Sequence, residues 1–442
     1  MDISMREQLE NTKQKYRLKT PPFNEKHEEF TNYLLNGNDV LGVFAADFGI
    51  PWCYIVPGLV SQKPFPFTTV IISPSPAALI DHSATVSSMG LPSFNISSSN
   101  PQLSSYTLEA FYTTVNVPKY LFVSTEKLAT KKWKSAIFKS SQEIHLVVVL
   151  DAHCVSPGSE NHKEEFREIG EIRNLTKAPF CAIAEVCDKK VQIDIEKYLS
   201  FETGYKIVRN TPPRSSVYLH FEEGKLRLEK FDWLVYYIAN STSSQPKVLV
   251  FTNTVNECYR IFQHLNTSLR KLNVRGRKVE MFHTFTGQQT KSFIIANFNQ
   301  KVTPLRCLVA TSTLGSDAHL LNVGLIIHWG FPNSVSQYWQ VLGHCERKEN
   351  IRGFAIMYTT PSQLVDVQLQ RDVCHRKAIL ALLQLNNEDV HAFANRQSCE
   401  ARNCSKCQCD LCKCCSFCRK LCICPGQVQL LTILGDNSAY DV

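Results

Sequence analysis

Short apolar runs rich in β-branched residues alternate with longer mixed segments along most of this chain, and that alternation restricts it to few folds. The first runs are Val40–Phe44, Thr68–Ile72, Tyr120–Val123, Leu146–Leu150 and Phe180–Ala184. A second series follows at Lys247–Thr252, Val279–His283, Cys307–Thr311, Leu325–Trp329 and Gly353–Tyr358. Unbroken apolar runs of this length suit strands buried on both faces, and the segments between them are long enough for helices. Each series is therefore expected to form a parallel sheet in an α/β domain. Residues 205–230 separate the series. They contain Thr211-Pro212-Pro213-Arg214-Ser215-Ser216, a composition that reads as a connector. The expected organisation is a lead-in at 1–22, a first domain at 23–210, a second at 211–362, a helical and cysteine-rich segment at 363–426 and a tail at 427–442.

The 442 residues suffice for two or three domains with real cores. The net charge of +8 permits a polyanionic partner without demanding one. The polar start, MDISMREQLE, gives no sign of a signal peptide, and no apolar run approaches the roughly 18 residues needed to span a bilayer. A soluble, intracellular protein is expected. Of 18 cysteines, eight are scattered from Cys53 to Cys374 and ten crowd into residues 399–424. Without a secretion signal, such a cluster reads as metal binding before disulfides.

In open α/β sheets, ligands bind at the carboxyl ends of the strands. At one such end lies Leu150-Asp151-Ala152-His153-Cys154-Val155-Ser156. This stretch resembles the DEAH-C-V-S segment of the RecQ helicases, a branch of superfamily 2, with Leu150 in place of the first acid. Further segments resemble the family in its order: Asp39–Phe44, Cys53-Tyr54-Ile55-Val56-Pro57, Ser73-Pro74 with Asp81, and Val123–Leu128. Phe166, Gly170, Arg173 and Asp194-Ile195 follow, then Val309–Gly315, Ile327-His328, Pro332, Ser334, Tyr338-Trp339-Gln340 and Gly343. The match runs from about Phe23 to Cys412. It implies two tandem RecA-like domains followed by a zinc-binding-like tail.

The resemblance also locates losses. Phosphoryl transfer needs backbone N–H groups around the phosphates, a lysine and magnesium. The family's phosphate loop falls on Asp47-Phe48-Gly49-Ile50-Pro51, where only Gly49 is retained. Ile50 replaces the lysine and Pro51 the magnesium-binding hydroxyl. Asp47 adds a negative charge that would repel a phosphate by roughly 4 kcal/mol at about 4 Å and an effective dielectric near 20. His27 stands at the adenine-reading position. Asp151 aligns with the glutamate that orients water, although a strand-end Asp capping the next turn is the favoured reading of it. His153 is expected to pack or hydrogen-bond. His344 replaces one arginine of the two-arginine motif, and Arg347 keeps the position of the second. Asp151, His153 and Arg347 are thus vestigial catalytic positions, and ATP and magnesium are doubtful ligands.

Cys374-His375-Arg376 resembles the helix that carries the family's first zinc ligand, and Cys409-Asp410-Leu411-Cys412 its C-D-x-C. Cys404 or Cys407 would complete a four-thiolate structural zinc site. Cys409, Cys412, Cys415 and Cys418 repeat C-x-x-C, with Cys414, Cys422 and Cys424 added, which leaves room for a second metal. The family grips single-stranded DNA through backbone amides and small hydroxyls, at positions occupied here by Ser73, Thr125, Asn253 and Thr311. The expectation is a RecQ-like homologue without ATPase activity, nuclear in a eukaryote. It would bind single-stranded or junction DNA, or a protein partner, in repair or recombination. An active 3′–5′ helicase and a non-enzymatic metal-binding interaction protein are the alternatives.

Overall fold

The computed structural model describes residues 24–383, apart from 45–47, 62–66, 98–100, 140–143, 157–163, 211–213, 243–244, 312–313, 315–319, 346–352 and 367–371, together with 414–421 and a few positions near the N-terminus. The chain divides into two compact units, 1–212 and 213–442.

The first unit is built on a seven-stranded parallel sheet. Its strands are β1 (Val40–Phe44), β2 (Thr68–Ser73), β3 (Ser93–Asn95), β4 (Lys119–Ser124), β5 (Ile144–Val149), β6 (Phe180–Ala184) and β7 (Lys206–Asn210). Their spatial order is β3-β4-β2-β5-β6-β1-β7. Residues of β1, β2 and β4 are buried throughout. Helices cover both faces, so each face carries its own apolar cluster. Two helices matter for the site: α1 (Glu25–Leu35), opened by an Asn24 capping box with His27, and α2 (Ile50–Val60), which follows the loop after β1.

The second unit contains a six-stranded parallel sheet in the order β10-β11-β9-β12-β13-β8. Its strands are β8 (Val217–Glu223), β9 (Lys247–Thr252), β10 (Val279–Phe282), β11 (Cys307–Thr311), β12 (Val323–Trp329) and β13 (Gly353–Thr359). The longest helix among the described residues, α3 (Val255–Lys271), packs Cys258, Ile261, Leu265 and Leu269 into the core. Helix α4 (His375–Leu383) and the short α5 (Ser416–Lys420) carry the described part of the cysteine-rich segment.

Both parallel sheets are present as the apolar runs predict. Two local expectations are corrected. The segment at 205–230 is more than a connector, because β7 and β8 form within it. The fourth run ends one residue early: Val149 closes β5 and Leu150 begins a turn, its N–H still donating to Ile72 O at 2.8 Å. Among the described residues, no helix is long and apolar enough to cross a membrane.

Candidate functional site

The loop after β1 is closed by aromatic rings. Gly49 sits at φ +87°, the left-handed region where glycine is unstrained, and delivers the chain into α2. The His27 ring, buried on α1, stacks on Phe48 with centroids 4.1 Å apart and planes 11° from parallel. Phe48 in turn stacks on Phe44 at 4.1 Å, and Phe30 meets Phe44 edge-on at 5.3 Å. A methyl group added to Gly49 would lie 3.6 Å from His27 Nε2, so the loop lies directly against the imidazole. Burial lowers the His27 pKa, partly offset by hydrogen bonding to the backbone of Gly49 and Phe48. The first turn of α2 lacks one donor, because Pro51 has no N–H. Ile50 is half-buried and packs against the apolar cluster beneath. A phosphate cradle needs outward N–H groups and a cation; among the described residues, Phe48 and Ile50 present a ring and an alkyl chain.

The position of the missing metal acid is equally apolar. Leu150 is buried within the core cluster that holds Tyr54, Cys181 and Ile183. Asp151, at φ 52°, accepts a hydrogen bond from Ser73 Oγ at 3.2 Å, and Ser73 Oγ accepts from Ser75 N–H at 3.1 Å. Asp151 begins the 3-10 turn Ala152–Val155 without a side-chain cap, which corrects the capping expectation. Its carboxylate turns sideways to β2 instead. His153 is half-buried, with Nε2 3.6 Å from Cys154 Sγ. The Ser156 hydroxyl donates to the Asp194 carboxylate, tying the turn to the following helix. Asp47 and Arg347 lie outside the described residues.

The four expected nucleic-acid positions fall at strand ends, two per unit. Ser73 ends β2 level with Ser124, the last residue of the neighbouring β4, and Thr125 opens the short helix that follows. Thr311 ends β11 level with Thr252, and Asn253 follows. The side chains of Ser73, Thr125 and Thr311 are buried, and that of Asn253 is exposed. Asn253 Nδ2 donates to Phe331 O at 2.9 Å. Ser73, Thr125 and Thr311 are therefore shielded in this structure, and Asn253 is the exposed member of the four.

In the second unit, four thiols converge. The Sγ atoms of Cys374, Cys414, Cys415 and Cys418 all lie within 4.8 Å of one another. Cys374 Sγ is 3.4 Å from Cys414 Sγ and 4.0 Å from Cys415 Sγ. A tetrahedral ion with metal–sulfur bonds of about 2.3 Å places its sulfurs about 3.8 Å apart, so the group fits a metal. The neighbouring thiols, through hydrogen bonds, hold the Cys374 thiol far below its ordinary range. The surroundings fix the cluster. Arg376, buried beside Cys374, donates to Arg214 O at 2.6 Å and to Cys414 O at 3.4 Å. Cys415 bridges to Leu219 on β8, and Ser416 Oγ accepts from Phe221 N–H at 3.2 Å. Of the expected ligands only Cys374 is in this group; Cys404, Cys407, Cys409 and Cys412 lie outside the described residues. The signal for the others was the Cys415-x-x-Cys418 spacing, whose thiols share one helical turn: Cys418 N–H points at Cys415 Sγ, 3.5 Å away.

Comparison with known proteins agrees with this fold. The helicase conserved C-terminal domain family matches residues 229–349. The chain is 24% identical over 386 residues to the ATP-dependent DNA helicase RecQ of Haemophilus influenzae, covering 85% of this chain and 57% of that protein. It is 23% identical over 419 residues to the ATP-dependent DNA helicase hus2/rqh1 of Schizosaccharomyces pombe, covering 88% and 30%. The chain thus spans about half, or less, of the length of such relatives. Among solved structures, the DUF1998 helicase MrfA bound to DNA superposes with a TM-score of 0.59 at 14% identity, over 87% of this chain and 51% of that one. Mss116p bound to single-stranded RNA and AMP-PNP gives 0.57 at 14% identity, over 88% and 81%. The two parallel-sheet units share the RecA-like α/β fold of those helicase structures. In sequence the chain is similar to RecQ-type helicases over most of its length.

Proposed function

We propose that this chain is a RecQ-like helicase homologue that does not hydrolyse ATP and acts by binding nucleic acid or a partner in DNA repair or recombination. One observation carries the reading: the His27–Phe48–Phe44 stack fills the loop where a triphosphate would sit. Ile50, Pro51 and Leu150 remove the lysine, the hydroxyl and the metal acid from the same region. Each loss costs orders of magnitude in such chemistry, and no single neighbour restores all three. Nucleic-acid binding needs none of them, because phosphate contacts supply most non-specific affinity. The relatives are named as DNA helicases, and MrfA was solved with DNA. The four-thiolate group would hold zinc in a structural role, anchoring the cysteine-rich segment to β8. In a eukaryote the protein would work in the nucleus.

The test is ATP hydrolysis by the purified chain with magnesium, with and without single-stranded DNA. No turnover above background is expected. DNA-stimulated hydrolysis that disappears in Asp151→Asn would establish the competing reading, a divergent active helicase.

A further inference from the structure

Helix α3 carries a second face that the core does not use. Tyr259, Gln263, Asn266 and Arg270 recur every three or four residues and form one stripe. Opposite them runs β10, an edge strand of the second sheet. Between stripe and edge lies a groove of about 470 Å³, lined by Tyr259, Phe262, Gln263, Asn266, Arg270 and Arg277 among others. Tyr259 is 45% exposed, and its hydroxyl accepts from Gln263 Nε2.

The groove ends in a basic loop. Arg270, Lys271, Arg275, Arg277 and Lys278 fall within nine residues that contain no acid. Arg277 pairs with Glu280 at 2.5 Å. Arg270, Lys271 and Arg275 are exposed and have no ion pair among the described residues. Complementing the dipole at the α3 C-terminus accounts for Arg270 and Lys271. It accounts neither for the three cations beyond the helix nor for the aromatic groove leading to them.

We infer that this flank is a separate binding site for single-stranded nucleic acid, distinct from the strand-end positions at Asn253 and Thr311. Tyr259 offers ring surface for stacking a base, with Phe262 lining the groove from the core side, Gln263 and Asn266 offer their amide oxygens to base edges, and Arg270 and Arg275 meet phosphates. Aromatic platforms inside a basic groove are the usual means of holding a single strand without sequence preference. From Tyr259 to Arg270 the stripe extends about 16 Å at 1.5 Å per residue, enough for a few nucleotides. An acidic peptide added along β10 is disfavoured, because that edge is only four residues long.

The test uses the full chain and oligothymidylate containing 5-iodouracil. Photo-crosslinks are expected at Tyr259 or Phe262. The double variant Arg270→Ala/Arg275→Ala should lose about tenfold in affinity at moderate salt, and its log–log salt slope should fall by about 1.4, two phosphates' worth for a single strand. Asn253→Asp should leave the groove crosslinks in place. Crosslinks confined to peptides carrying Asn253, with unchanged affinity and slope in the double variant, would overturn the groove and leave strand-end binding standing. Groove crosslinks that persist while Asn253→Asp changes nothing support the groove and count against the strand ends. Direct binding of labelled polyglutamate by a chain that binds no oligothymidylate overturns the inference in favour of an acidic peptide.

Discussion

The imidazole of His27 lies flat on the ring of Phe48, 4.1 Å between centroids, in the loop where a helicase of this architecture would wrap a triphosphate. Each stacked pair is worth about 0.5–1.5 kcal/mol beyond its buried area, and the His27 capping box adds about 1 kcal/mol. His27→Ala should therefore cost about 1–3 kcal/mol in chemical denaturation and still gain no nucleotide affinity. A ligand that binds only the native state raises its melting temperature. Saturating ATP with magnesium is expected to leave the melting temperature of the parent protein unchanged; a rise of several degrees would show that the loop opens.

Asp39 ties three distant segments of the first unit together. Its buried carboxylate accepts from Arg173 at 2.6 Å, from Phe180 N–H at 2.7 Å and from Glu202 N–H at 2.9 Å. The Arg173 guanidinium also rests 3.8 Å above the Phe180 ring. Removing one partner leaves the rest of a buried network unsatisfied, which costs about 3–5 kcal/mol. Asp39→Ala should destabilise the first unit by that amount in urea unfolding, and Asp39→Ala combined with Arg173→Met by less than the sum of the two. Strict additivity would mean that the pair is not coupled.

The strands that the sequence revealed and those it hid differ in position. Val40–Phe44, Phe180–Ala184, Lys247–Thr252 and Cys307–Thr311 were legible to the residue, because buried parallel strands are apolar on both faces. The three missed strands, β3, β7 and β8, all lie at sheet edges. An edge strand has a neighbour in the sheet on one side only, and Lys206-Ile207-Val208-Arg209-Asn210 shows no long apolar run. In the site, Ile50, Pro51 and Leu150 were legible as single-residue losses. The ring that fills the gap was not, since Phe48 meets His27 across 21 positions of sequence. The thiolate set was hidden by abundance: ten cysteines within residues 399–424 permit many combinations, and tertiary packing against β8 selects among them.

His328 makes the second unit acid-sensitive. It is fully buried between Phe251, stacked at 5.4 Å, and Tyr338, edge-on at 4.9 Å. Desolvation pushes its pKa down to about 3 from an ordinary 6.5. The native state then holds this imidazole neutral, whereas the unfolded chain protonates it below pH 6.5. Stability is fully present above that value and falls as pH drops from about 6.5 toward 3. At about 1.4 kcal/mol per unit, the loss approaches but does not exceed roughly 4–5 kcal/mol. His328→Phe should flatten this acid limb of the stability profile; an unchanged slope between pH 6 and 4 would rule the residue out as its source.

Cys374 and Cys418 come from opposite ends of a segment more than forty residues long, yet their thiols share one group with Cys414 and Cys415. If that group is the metal site, the ion closes the chain between α4 and α5, and binding it is part of folding. Elemental analysis of the purified chain should find at least one zinc. Cys374→Ser and Cys418→Ser should each release one equivalent and lower the melting temperature of the second unit. Cys404→Ser and Cys409→Ser should leave that equivalent bound, because the four described thiols already complete a tetrahedron. The opposite pattern, metal kept in Cys418→Ser and lost in Cys409→Ser, would move the site into the C-D-x-C stretch. Chelation gives an independent check through Arg376, whose hydrogen bonds reach both Arg214 O and Cys414 O. Stripping the metal should raise protease sensitivity around residue 414 first, while the strands of the second sheet, buried without thiolate help, hold until global unfolding.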